Sequence, residues 1–151
     1  SALPNLLTGN LARLWAEFAA LEGRPDVWHQ RPTPDAWSAN EIATHLRDVE
    51  VEVNAQRVDV VLTQDNPFIA GVDTDQWAAE RGYAQVDGRA ALDRFAMSRR
   101  ALVERLRALP TEAYERTARH ALFGRTSLRE LLQVVLDHDQ VHLRQLRALS
   151  H

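Results

Sequence analysis

The chain has 151 residues, 45% of them hydrophobic and 26% charged, with a formal net charge of -3. That length favours one domain spanning residues 1–151, enough to bury about 70% of the unfolded chain's surface in a single core. The acidic balance gives no electrostatic footprint for nucleic acid or an anionic membrane, and the absence of cysteine excludes disulfides, thiolate-ligated zinc and a thiol nucleophile on this chain.

Residues 1–17 show no basic start followed by an apolar run, and no apolar stretch nears the ~20 residues of a bilayer span. The expectation is a cytoplasmic protein with neither a membrane nor a nucleic-acid partner. Arg99 and Arg100 are adjacent, but acids are interspersed around them, so they are read as part of a solvated helix face.

Four main helices and little or no sheet are predicted. The first runs roughly from Leu3 to Leu21, with Leu7, Leu11, Leu14, Trp15, Phe18 and Leu21 at steps of three and four. Gly23, Pro25, Pro32 and Pro34 then break the pattern into a loop. The second helix opens on a capping box, Ser38-Ala-Asn-Glu41, with Trp37 and Ile42 placed as a hydrophobic staple. Its stripe reads Ile42, His45, Leu46, Val49, Val53 and Val60, and it ends near Thr63, before Asn66-Pro67.

Residues 65–87 form a long connection, with a short helix expected from Asp73 to Arg81 around Trp77. A crossover between helix pairs is the simple account of this loop; a functional loop is the other. The third helix runs from about Arg89 to Leu109, turning Leu92, Phe95, Ala96, Leu102, Val103, Leu106 and Leu109 inward until Pro110 stops it. Residues 111–126 connect onward, with a helical turn around Glu112 to Arg116. A second capping box, Ser127-Leu-Arg-Glu130, opens the fourth helix, whose stripe is Leu128, Leu131, Leu132, Val135, His138, His142, Leu146 and Leu149. Four long amphipathic helices argue for an all-α four-helix bundle. The two long connections permit a non-sequential helix order.

His138 and His142 lie four apart, one turn above the other on the same apolar face. His45 lies on the apolar stripe of the second helix. A lone histidine in such a place is ordinarily a hydrogen-bonded core residue. Three are harder to satisfy, because each unmade bond of a buried ring nitrogen costs ~1–3 kcal/mol, and the sequence offers few other buried polar groups to pair them. One shared divalent metal would satisfy all three and leave a coordination position open. His29, His120 and His151 are expected to be solvated, with His120 also a candidate for a site mouth. The segment is not the zincin motif, since Asp139 stands where that motif has Glu, so no peptidase is inferred.

The segment from Trp37 to Asp48, Trp-Ser-Ala-Asn-Glu-Ile-Ala-Thr-His-Leu-Arg-Asp, resembles the first signature of the DinB/YfiT-like metal-binding bundles. The segment from Ser127 through His138-Asp-Gln-Val-His142 resembles their second, and His120-Ala-Leu-Phe-Gly124 is similar to their approach loop, with Ala121 where proline is common. The resemblance covers most of the chain. It implies a bundle in up-down-down-up order with a long crossover, and one divalent metal held by His45, His138 and His142. It also implies a possible homodimer, and activities that use a low-molecular-weight thiol, as in mycothiol-dependent isomerases and bacillithiol S-transferases.

Three functional readings stand at this level. The first is a metal-dependent enzyme acting on a small-molecule substrate, an S-transferase or hydrolase in which zinc or nickel activates a thiol or a water. The second is a non-catalytic metal- or ligand-binding bundle, and the third a structural bundle with no metal. Asp48 is the nearest acidic candidate, about 60° around the helix from His45. It is a candidate to orient a ligand or act as a base; a surface carboxylate paired with arginine is the simpler role. Glu52, about 10 Å further along the axis, is at most a pocket wall. Trp15, Trp77 and Phe123 are candidates to line a substrate pocket, or else core residues.

Overall fold

Pro4 starts the first helix where its missing N–H costs nothing, and α1 runs Leu3–Ala19. In the computed structural model, which describes residues 1–150, a short α2 follows (Pro25–His29), then α3 (Ala39–Val49). A π-helical turn, Glu50–Asn54, joins α3 to α4 (Ala55–Thr63). The long crossover contains β1 (Phe68–Ile69), α5 (Trp77–Glu80) and a 3-10 turn (Tyr83–Gln85). The third long helix is α6 (Gly88–Arg107), capped by Asp87, whose side chain accepts from the Ala90 N–H at 3.1 Å. A 3-10 turn (Thr111–Glu115), β2 (Thr117–His120) and β3 (Gly124–Ser127) lead into α7 (Leu128–Leu149). Among the described residues no helix is long and apolar enough to cross a membrane.

Side-chain contacts define the helix directions. Asn40 meets Gly88, Glu50 meets Arg99 and Asp59 meets Arg105, so the α3–α4 rod and α6 run parallel. Asn10 meets Asp139 and Glu17 meets Arg147, so α1 and α7 are also parallel. Asn5 meets Arg107 while the Glu22 carbonyl meets Arg89, so α1 and α6 are antiparallel. The order is up-down-down-up, and two parallel neighbours in sequence require the long crossover between them.

Three strands correct the expectation of little or no sheet. β2 and β3 form an antiparallel hairpin with Thr117 opposite Ser127, and β1 adds in parallel with Phe68 opposite Arg119. Strands of two to four residues are too short to show a period of two in sequence. The hairpin turn uses Gly124 at φ 68°, a region costly for any residue with a Cβ.

The π turn corrects a second expectation. An extra residue in the turn rotates the downstream face by about 100°, so Val58 and Val61 are buried where Val60 was expected. The core falls into two apolar clusters. One holds Leu7, Val58, Leu102, Leu106 and Leu132; the other holds Leu14, Phe18, Ile42, Phe95 and Leu146.

Between the clusters lies a layer of buried polar groups, and here the reading of Arg99 as solvated is corrected. Arg99 is 1% exposed. Its guanidinium donates to Glu50 at 2.6 and 3.1 Å and to Asp139 at 2.8 and 3.1 Å. Asn10 donates to Asp139 at 3.1 Å and Asn54 to Glu50 at 2.8 Å. Few buried polar groups were expected beside the histidines; the layer supplies a full set, already satisfied among themselves. Only such complete pairing makes charge tolerable at this depth.

Candidate metal centre

Two capping boxes set the helices that carry the histidines. Ser38 Oγ accepts from the Glu41 N–H at 3.2 Å, and the Ser38 N–H donates to Glu41 Oε1 at 3.1 Å. Ser127 and Glu130 repeat the arrangement at 3.1 and 3.1 Å. Each cap contributes about 1 kcal/mol and fixes where its helix begins, hence which face each later residue takes. Trp37 and Ile42 both pack into the second apolar cluster, as a staple should. Trp37 also lies against the His45 ring, centroid to centroid 4.8 Å.

On the facing sides of α3 and α7 the three histidines converge. His45 Nε2 is 3.3 Å from His138 Nε2, and His142 Nε2 is 2.9 Å from His138 Nε2. One nitrogen from each ring lies within 4.8 Å of the other two. Two imidazole nitrogens sharing a tetrahedral zinc stand about 3.4 Å apart, so the cluster has the dimensions of a ligand set.

Proton bookkeeping gives the same answer. Gln145 Oε1 lies 2.7 Å from His142 Nδ1 and can only accept there, which places the His142 proton on Nδ1 and a lone pair on Nε2. His138 can donate to that lone pair, but its Nε2–H is then spent and has nothing to offer His45. The buried His45 Nδ1 has no partner at all. Three neutral rings therefore cannot satisfy one another, whereas a cation accepts all three Nε2 lone pairs. The residues fit a divalent metal held by imidazoles.

The rings are poised as neutral donors. Burial, then the charges of His142 and His138, push His45 down to about 2. Burial, then His138, push His142 to about 4 against the opposing pull of Gln145 and Asp139. His138 is also lowered, first by burial and then by Arg99, while Asp139, Glu50 and Asp75 favour its charged form.

A cavity of about 410 Å³ opens onto the histidines, walled by Asp35, Ala36, Trp37, Asp75, Val141 and Gln145. A wider groove of about 540 Å³ between α1 and α6 holds no comparable cluster of metal-ligating groups. Trp15 lines that groove rather than the cavity. Trp77 lies under the Arg81 guanidinium, 3.8 Å from its ring centre, and Phe123 stacks on His120 at the hairpin. None of the three aromatic candidates lines the histidine cavity. Trp37 does, and its position just before a cap was the signal for its packing though not for this role.

Asp48 is buried but does not line the cavity. Its carboxylate accepts from Tyr83 at 2.7 Å, Arg47 at 2.9 Å and Arg81 at 3.0 Å. Burial alone would raise its pKa, yet these donors hold it below the ordinary value. Glu52 pairs with Arg81 and lies outside the cavity wall. His29 is exposed, as expected. His120 is not solvated: it is 5% exposed, and its Nδ1 accepts from the Leu122 and Phe123 N–H groups at 3.0 and 3.3 Å. His151 lies outside the described residues.

The fold and the site together define an up-down-down-up helical bundle with three histidines, spaced so that they could hold a metal ion, on the facing sides of two helices. The chain belongs to the DinB superfamily, whose family model matches residues 6–146. Its fold is similar to that of YfiT from Bacillus subtilis, described as a probable metal-dependent hydrolase with an unusual four-helix bundle topology. That structure matches with a TM-score of 0.84 at 18% sequence identity, over 98% of this chain and 83% of YfiT. No curated protein sequence matches the chain.

Proposed function

We propose that this protein is a metal-dependent enzyme of the DinB/YfiT type, a hydrolase or thiol transferase acting on a small molecule. The reading is carried by one observation: three neutral Nε2 atoms converge at a cavity that a small ligand can enter. His45, His138 and His142 would hold one divalent ion, with zinc or nickel suited to imidazole donors. When bound, such an ion lowers the pKa of a coordinated water or thiol towards neutrality. Gln145 fixes the His142 tautomer, and Trp37 packs against the His45 ring and walls the site. Likeness to a protein described as a probable metal-dependent hydrolase supports hydrolysis; a cysteine-free chain, which must take any thiol nucleophile from outside, is compatible with thiol transfer.

A second reading, a metal-binding bundle without turnover, draws support from Asp48. The nearest acid on the ligand helix is held by three donors and does not face the cavity. Metal analysis by mass spectrometry is the first test. About one divalent ion per chain, lost in His45→Ala, supports both readings, and turnover in hydrolase and thiol-transfer screens then separates them. No ion bound, and none taken up on titration with zinc or nickel, removes both.

A further inference from the structure

The buried layer between the two apolar clusters has complete hydrogen bonds but unbalanced charge. Glu50 Oε2 accepts from Arg99 Nε, and Oε1 from Arg99 and Asn54. Asp139 Oδ1 accepts from Arg99, and Oδ2 from Arg99 and Asn10. All four oxygens meet donors, so neither carboxyl has a place for a proton and both are ionised. Two carboxylates against one guanidinium leave one negative charge in excess, and among the described residues no second arginine pairs with either acid. Glu50 is 0% and Asp139 1% exposed, a depth at which an uncompensated charge is costly. The excess lies beside the histidines. Asp139 follows His138 in α7, and Glu50 opens the π turn directly after α3, which carries His45. Burial acts most on His138, but His138 also feels all three members of the layer, Asp139 and Glu50 favouring its charged form and Arg99 opposing it. None of the three lines the cavity, so their charge reaches the imidazoles from the protein side.

We propose that the Glu50–Arg99–Asp139 layer is the buried counter-charge of the metal site, and that its one excess negative charge sets metal affinity without any of the three residues touching the ion. The proposal rests on the metal-site reading above and adds residues that tune it. Three neutral imidazoles bring no charge to a dipositive ion, so the nearest compensation has to come from outside the ligand set. The layer supplies it through protein interior, where charges interact more strongly than in water and salt screens them little. Metal and layer each answer a need of the other: the ion lacks an anion, and the layer lacks a second cation.

Affinities of the full-length protein for zinc, cobalt(II) and nickel, each read by chelator competition at one fixed pH, give a test that does not depend on turnover. Two variants take the layer from one excess charge to none by different structural routes. Glu50→Gln removes one carboxylate and leaves the Arg99–Asp139 pair. Replacing Glu50, Arg99 and Asp139 together with apolar residues removes every charge and strands none, so it carries the test if the single variant does not fold. A third variant, Asn54→Ala, removes a hydrogen bond of the layer and no charge. Both neutral-layer variants are expected to bind all three ions more weakly by a common factor of about ten or more, a factor that added salt leaves in place. Asn54→Ala is expected to keep the wild-type affinities. Wild-type affinity in the triple variant overturns the proposal. So do losses that differ widely between the three metals, which would mean altered ligand geometry, and so does an equal loss in Asn54→Ala, which would mean that packing and not charge is responsible. Failure of the wild-type protein to bind any of the three ions would instead sink the metal-site reading, and this inference with it.

Discussion

Gln145 Oε1 stands 2.7 Å from His142 Nδ1, one turn further along α7. The contact holds the His142 proton away from the cluster and presents its Nε2 as a lone pair. Replacing Gln145 with Leu keeps the volume and removes the acceptor, so the tautomer and ring orientation are no longer set. Metal affinity measured by chelator competition is expected to fall about 10–100-fold, while His142→Ala abolishes binding. Unaltered affinity in Gln145→Leu would show that the hydrogen bond does nothing for the ligand.

The buried layer gives a sharper stability test. Arg99→Met leaves the Glu50 and Asp139 carboxylates buried without their cation, and breaking such a set typically costs about 3–5 kcal/mol. Urea denaturation should show that loss. Replacing Glu50, Arg99 and Asp139 together with apolar residues should recover much of it, because no charge is then stranded. A single variant as stable as the wild type would mean that water reaches the layer.

Asn40 is a second point where one side chain holds several elements. Its Oδ1 accepts from Trp28 Nε1 at 2.9 Å and from the Gly88 N–H at 3.0 Å, and its Nδ2 donates to the Tyr83 and Val86 carbonyls at 3.0 and 2.9 Å. A Cβ at position 88 would overlap the Asn40 carboxamide, so glycine allows the approach. Asn40→Ala strands up to four buried groups and is expected to cost about 3 kcal/mol. The same urea experiment reads it, and a cost under about 1 kcal/mol would contradict the account.

Acid should weaken the cap that starts α3. Burial raises Glu41, but Arg31 at 2.6 and 2.8 Å and Ser38 outweigh it, leaving the carboxyl below its ordinary value of 4.5. The folded state thus binds this proton less readily than the unfolded chain. The contribution is complete above about pH 4.5 and disappears as pH falls through the lower folded value. In metal-free protein, the Tm gap between wild type and Glu41→Gln should narrow as the solution is acidified below that point. A gap that stays constant on acidification would falsify the assignment.

Asp48 separates structure from chemistry. It ties Tyr83 and Arg81 of the crossover to α3. Asp48→Asn should speed hydrogen exchange across residues 77–86 and leave metal content unchanged. Metal loss or selective loss of turnover, with exchange unaffected, would return Asp48 to the site.

Much of this protein can be read directly from its sequence. Caps and stripes are local patterns, so Ser38, Ser127 and the apolar steps of three and four locate the long helices. His45, His138 and His142 interrupt those stripes, and that marks them as a set. Arg99 and Asp139 also occupy stripe positions, between Ala96 and Leu102 and between Val135 and His142, but a charge on a stripe has meaning only once its partner is known. Those partners come from other helices, and the π turn that rotates the face beyond Glu50 has no periodic signature. Loops have none either, so Asp35, Trp37 and Asp75 meet at one cavity only after the crossover has folded. Local sequence patterns locate the long helices and single out the histidine trio. Which charges are buried, and which face the histidine cavity, follows from tertiary packing, because burial of a charge depends on contacts between residues far apart in the chain.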